Sequence, residues 1–215
     1  VVDADTAVAA TTAFALGVLG DTAAVGTLVP FTTAGRAAAA PTVAGEAATA
    51  LGKLKTERGR AAVAGLLMSA GEDSASRFAT GHALLAAWKF PRRSDNTSIL
   101  RWTESADPEL RWRAVYALTR RPDPAVAPAP ARLPGDPDWR VRSFALRGLT
   151  APLADSSSLG AEAARRVLLA ALADTSGAVR VNAVRSLGTH PHPSVIGALA
   201  SLVAGGEAHL AVAGA

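Results

Sequence analysis

Cysteine is absent from the 215 residues. That excludes disulfides, thiolate zinc sites and cysteine nucleophiles together, and it fits either side of a bacterial membrane. Lysine is almost absent too: Lys53, Lys55 and Lys89 are the only three among 22 basic residues, so arginine carries the positive charge. Aromatics make up 5% of the chain, with one tyrosine and one methionine. No uninterrupted apolar run reaches the roughly 18 residues of a membrane span, so none is expected. The residues from Val1 onward, with Asp3 and Asp5 close behind, do not read as a secretory leader, so none is expected among them. There is no P-loop, no Gly-x-Ser-x-Gly, no His-Glu-x-x-His and no Rossmann fingerprint, so the common nucleotide, hydrolase and zincin chemistries have no foothold.

What is present is alanine, the commonest residue, within a composition that is 49% hydrophobic. Alanine and leucine favour helix, and small side chains let helix axes approach to about 8–10 Å. Self-similarity organises this material. Val8/Thr12/Leu16, Val43/Ala47/Leu51, Phe78/His82/Ala86, Leu110/Ala114/Leu118, Val141/Ala145/Leu149 and Val179/Ala183/Leu187 recur at intervals of 35, 35, 32, 31 and 38 residues. The four-residue spacing inside each triplet puts its members on one helix face, and the longer period marks a stack of helical pairs. The spacing predicts an all-α, right-handed α-α superhelix of about six pairs, in units of roughly 3–35, 41–71, 73–105, 107–134, 136–173 and 174–205. Residues 207–215 read as the start of a further unit, so the sequence is expected to be a piece of a longer bacterial polypeptide, soluble and either cytoplasmic or periplasmic.

Punctuation supports the pairs. Asp174-Thr175-Ser176-Gly177 can open a helix that stops near Gly188, and Pro191 and Pro193 stand just before a partner expected over about 194–203. The same plan predicts helices at about 138–149 and 160–173 in the preceding unit. The stretch Pro122 to Pro130 holds four prolines and cannot form a regular second helix. Pro30 to Pro41 and Thr150 to Gly160 read as loops inside a single array over residues 1–215.

The wording of the first helices resembles HEAT repeats, in which an Asp-Pro-like opening leads to Val-Arg and then to Ala and Leu. Asp136-Pro137-Asp138-Trp139-Arg140-Val141-Arg142 followed by Ala145 and Leu149 carries the resemblance most fully. Asp174 with Val179-Arg180, Ala183 and Leu187, and Asp107-Pro108-Glu109-Leu110-Arg111 with Ala114 and Leu118, repeat it. The first two units have Ala9 and Ala44 where this arginine stands. Arg111 to Leu118 also looks like the helical arrays of bacterial proteins that carry a cyclophilin-type prolyl isomerase domain; no cyclophilin core is visible here. HEAT-like arrays occur in bilin lyases and in one class of alkylpurine DNA glycosylases as well, and no motif singles out either.

The resemblance implies that second helices line the concave side, so their polar faces are where a partner would bind. They carry Arg58, Arg60, Arg92, Arg93, Arg101, Trp102, Arg165 and Arg166, diluted by Glu57, Asp95, Glu104 and Glu162. Arg111, Arg142 and Arg180 form a ladder at equivalent places. There a structural role is expected, each guanidinium gripping an acid near the next helix start such as Asp136, Asp138 or Asp174. Trp88, Trp102, Trp112 and Trp139 could be base-stacking platforms, but filling gaps in an alanine-rich stack is their default use. His190-Pro191-His192 has a ligand-like spacing with no third donor near it, so it reads as a polar turn. His82 falls at a core position. The expected function is therefore a non-catalytic scaffold that binds another protein or domain, with no cofactor and no metal. Nucleic-acid binding, including glycosylase-like repair, is the alternative partner class, and an accessory or lyase-like role in a pigment complex is the third reading.

Overall fold

The computed structural model describes residues 4–91 and 96–205. Every regular element among them is helical and none is a strand. The chain divides into two compact units, Val1–Ala117 and Leu118–Ala215. The predicted opening at residues 207–215 lies outside the described residues.

The first unit is built on three long first helices, α1 (Ala4–Leu19), α4 (Pro41–Leu54) and α6 (Ser74–Ala87). α1 packs on α4 and α4 on α6. Between and behind them run α2 (Val25–Leu28), α3 (Ala34–Ala39), α5 (Glu57–Ser69) and α7 (Thr97–Leu100), with α8 (Pro108–Thr119) reaching the end of the unit. The predicted partner in the first pair is not one helix: it is broken into 3₁₀ turns at Thr22–Ala24 and Val29–Thr32 around α2. Pro30 fits the first turn of such a segment but would remove a donor from the middle of a longer helix. The stretch read as a loop before Pro41 instead contains α3, whose alanines favour helix and whose packing on α4 supports it.

Close approach of the first helices depends on two glycines. A Cβ on Gly17 would lie 2.7 Å from Cα of Ala50, and one on Gly52 would lie 2.9 Å from Cβ of Ala86. Both glycines sit near the C-terminal ends of their helices, so α1, α4 and α6 run side by side in the same direction. Behind this seam Leu28, Leu51, Leu66, Leu67 and Leu84 are almost fully buried, each worth about 1.5–3 kcal/mol of removed apolar surface. Caps follow the sequence signals: Thr56 accepts from Gly59 N at 3.1 Å to start α5, and Asp73 accepts from Ser76 N at 2.9 Å to start α6. Lys55 takes a left-handed conformation, φ 55°, to end α4.

Three positions of the repeated triplets, Val8, Thr12 and Phe78, are exposed and depart from the expected core role. Val8, equivalent to the buried Val43, is 65% exposed, because α1 is packed on one side only. Phe78 is 44% exposed, because Gly45 of α4 leaves room for its ring edge and not for burial of the whole ring.

The second unit follows the predicted order with α9 (Trp139–Arg147), α10 (Ala151–Asp155), α11 (Ala161–Ala170), α12 (Gly177–Leu187) and α13 (Pro193–Ala204). α10 lies in the stretch read as a loop, and Pro152 is accommodated in its first turn. Pro122 to Pro130 forms successive turns and then a 3₁₀ turn at Pro130–Arg132, as four prolines require. Leu146, Leu149, Leu168, Val179, Ala183, Leu187 and Val195 form one core joining α9, α11, α12 and α13. A buried polar row locks α9 to α12: Asn182 Nδ2 donates to Ser143 Oγ at 2.6 Å, and Ser186 Oγ donates to the Leu146 carbonyl at 2.8 Å. One turn further, His190 Nε2 donates to the Leu149 carbonyl at 2.9 Å. The four-residue spacing of 182, 186 and 190 is what aligns them.

Candidate functional site

The second-helix residues singled out by sequence separate into distinct environments. Arg58 is exposed at the start of α5, and Arg60 lies half-buried beside it in an ion pair with Glu57. Arg101 donates through Nη1 to the Met68 carbonyl at 2.7 Å and lies 4.8 Å from the ring centre of Trp102. Trp102 is fully buried and donates to the Leu67 carbonyl at 3.1 Å. The Arg101–Trp102 pair therefore closes the C-terminal end of α5, and the indole presents no face to a ligand: burial against α5 has taken it. On α11, Arg165 is half-buried and Arg166 exposed. Arg92 and Arg93 lie outside the described residues.

The arginine ladder has a common geometry. Arg111 Nη1 donates to the carbonyls of Ser105 and Ala106 at 2.9 and 3.0 Å, Arg142 Nη1 to those of Asp136 and Pro137 at 2.8 and 3.2 Å, and Arg180 Nη1 to those of Asp174 and Thr175 at 2.9 and 3.4 Å. Each guanidinium thus clamps the turn six and five residues before it, satisfying carbonyls that the helix start leaves outside its own ladder. Arg142 also forks onto Asp174 through Nε and Nη2 at 2.8 and 2.9 Å. That bond holds the Asp174 carboxyl below its ordinary range and raises the guanidinium's own. In the first unit Arg77 reaches the turn before α8 in the same way, with Nε 2.5 Å from Asp107 Oδ2.

The described histidines are engaged. His82 is in hydrogen-bond contact with Thr49 Oγ1 through Nδ1 at 2.9 Å and stacks on Phe78 with ring centres 4.3 Å apart. Burial holds its imidazole below the usual range, against the pull of Glu46 and with help from Arg113. His190, read as part of a polar turn, is buried: sequence could not show that it would meet the Leu149 carbonyl, 41 residues away. Its bond to a carbonyl requires the Nε2–H tautomer, leaving Nδ1 without a partner. His192 instead caps α13, accepting from Ser194 N at 3.2 Å. Among the described residues no group of three histidine or carboxylate side chains could hold a metal ion.

A surface that sequence reasoning did not single out lies on the first helices. Ser74, Arg77, Phe78, Gly81 and His82 of α6 and Glu109 and Arg113 of α8 line a groove of about 290 Å³. Gly81 makes it: a Cβ there would sit 3.4 Å from Arg113 Cδ, so the arginine lies flat across α6. Arg113 pairs with Glu109 at 2.6 Å and covers the Trp112 ring at 4.6 Å, while Trp112 Nε1 donates to Glu109 Oε2 at 3.1 Å. Exposed Phe78 beside an immobilised charged pair is a rigid amphipathic surface, suited to a side chain that is partly apolar and partly polar. The only signal in the sequence was an aromatic at a position otherwise given to Val or Leu. Trp88, edge-on to Tyr116 at 6.3 Å, supports the C-terminal side of α6.

No curated protein matches the chain. Among solved structures, human deoxyhypusine hydroxylase in complex with glycerol is similar at 22% sequence identity and a TM-score of 0.39, over 93% of this chain and 74% of that one. Residues 97–176 match the family of HEAT repeats. Over that stretch the chain is similar to HEAT repeats, and every regular element among its described residues is helical, as in such a solenoid.

Proposed function

We propose that the chain is a non-catalytic, protein-binding scaffold, and that in the first unit the first-helix surface around Phe78 takes part in binding. The observation that carries the reading is the α6–α8 groove, where an exposed aromatic is held between groups already fixed by hydrogen bonds and ion pairs. A preorganised surface of this kind loses little side-chain freedom on association, which is the main cost that an interface must offset. The engaged histidines favour the same reading, since each works in capping or packing rather than standing ready for proton transfer. The test is to isolate the native protein with whatever partner co-purifies and map the contact by hydrogen exchange. Protection of the α6–α8 surface in a stoichiometric complex is expected. Failure of any protein partner to co-purify, or catalytic turnover by the isolated chain, would overturn the reading.

A further inference from the structure

The three lysines are far apart in sequence terms but not in the fold. Lys53 lies in the last turn of α4 and Lys55 ends that helix in its left-handed cap. Lys89 follows the end of α6, its N–H returning to the Ala86 carbonyl at 3.0 Å. Since Gly52 and Ala86 are the contact between α4 and α6, the two helix ends bring all the lysines of the chain to one edge. Lys53 and Lys55 are exposed and Lys89 half-buried. Burial and the charges of Lys53 and Lys55 hold the Lys89 ammonium below the usual lysine range.

These cations differ from the arginines around them. Arg60, Arg77 and Arg113 are each paired with a carboxylate, and Arg101 and Arg111 donate to carbonyls. Among the described residues no carboxylate pairs with Lys53, Lys55 or Lys89. The nearest acid in sequence, Glu57, is taken by Arg60. A helix C-terminus favours a nearby cation, so the dipole explains a lysine at each end but not three together without counter-charge. Beside them is apolar surface. Lys53 Nζ lies 4.4 Å from the ring centre of Phe14. Phe14 and Val18, one turn apart on α1, are 48% and 61% exposed.

We infer that Phe14, Val18, Lys53, Lys55 and Lys89 form a docking surface for an acidic, partly apolar segment of a partner protein. The inference rests on the scaffold reading and specifies the partner's chemistry at a second place on the first helices. Carboxylates of the segment supply the charge that the lysines lack, and an apolar side chain lies against Phe14 and Val18. Lysine suits this mixed target because its ammonium is a point charge on a flexible stem, with none of the forked geometry used by the arginines here.

The probe is a fluorescein-labelled synthetic peptide of alternating Asp/Glu and Leu/Phe, read by anisotropy with the intact chain. Binding should weaken at least tenfold in the triple variant Lys53→Gln, Lys55→Gln, Lys89→Gln, and severalfold in Phe14→Ser. It should be unchanged in Arg185→Gln, which removes an exposed helix-end cation from the other unit. Circular dichroism checks folding, and if the triple variant does not fold, the exposed pair Lys53→Gln, Lys55→Gln carries the test. Wild-type affinity in these variants would overturn the inference. So would competition by inorganic phosphate or duplex DNA at concentrations no higher than the unlabelled peptide, since that would make the surface a general anion site. If the co-purifying partner binds the lysine variants normally, the docking surface fails while the scaffold reading stands. If neither partner nor peptide binds, both fail.

Discussion

Arg142 shows how much one side chain does in this fold. It anchors the turn before its own helix through two carbonyls and ties α9 to the start of the next first helix through Asp174. Lysine in its place could reach the carboxylate or the carbonyls but not both, because it lacks the fork. Arg142→Lys should lower unfolding stability by about 1–3 kcal/mol, measured by urea denaturation. His82 gives a pH-dependent prediction. Its folded-state pKa is below the ordinary 6.5, so protonation favours the unfolded chain. Its contribution is complete above about pH 6.5 and is lost as the pH falls through that value toward the lower folded one. The urea midpoint should therefore drop between neutral and mildly acidic pH, and His82→Gln should flatten that drop. An equally steep decline in the variant would show that other groups are responsible.

At the scale of elements, the seam between first helices is set by what is missing from glycine. Gly52→Ala adds a methyl group where 2.9 Å separates it from Ala86 Cβ, so helix propensity improves while the stack is forced apart. A net loss of about 1–3 kcal/mol is expected. Gly65→Ala in α5 meets nothing within 4 Å and should instead stabilise by about 0.5–1 kcal/mol. Opposite signs in thermal unfolding would confirm that the seam, and not helix propensity, decides. In the second unit Ala183 is fully buried in the leucine core, and Ala183→Leu should cost about 1–3 kcal/mol by overpacking. These elements were largely legible beforehand. Proline at a first helical turn, polar caps and the four-residue apolar spacing act through neighbours in sequence, and they placed α4, α6, α9, α12 and α13 to within a few residues. α3 and α10 were missed because α3 is enclosed by Pro30 and Pro41 and α10 carries Pro152, and helices this short form only with tertiary support.

For the whole molecule the useful distinction is between charge that is spent and charge that is available. The formal net charge of +4 says little about a partner, because many first-helix arginines are engaged within the protein. If the lysine edge is the attractive surface, its peptide complex should weaken roughly tenfold between low salt and about 0.5 M salt, chiefly through slower association. An affinity indifferent to salt would point to apolar contacts alone. The second-helix basic residues follow from the side that the HEAT resemblance expects to face a partner, and a repeat pattern does not tell a packed side chain from an offered one. Trp102 shows why: its indole is buried against the end of α5, a contact made across 35 residues. By itself the sequence determined an all-helical chain with a repeat of about 35 residues, since period, caps and prolines act locally. Only the tertiary structure decided which polar groups are consumed in holding helices together, because burial and pairing depend on residues that sequence separation hides. His190 buried against the Leu149 carbonyl and the three lysines gathered at one edge are both decisions of that kind.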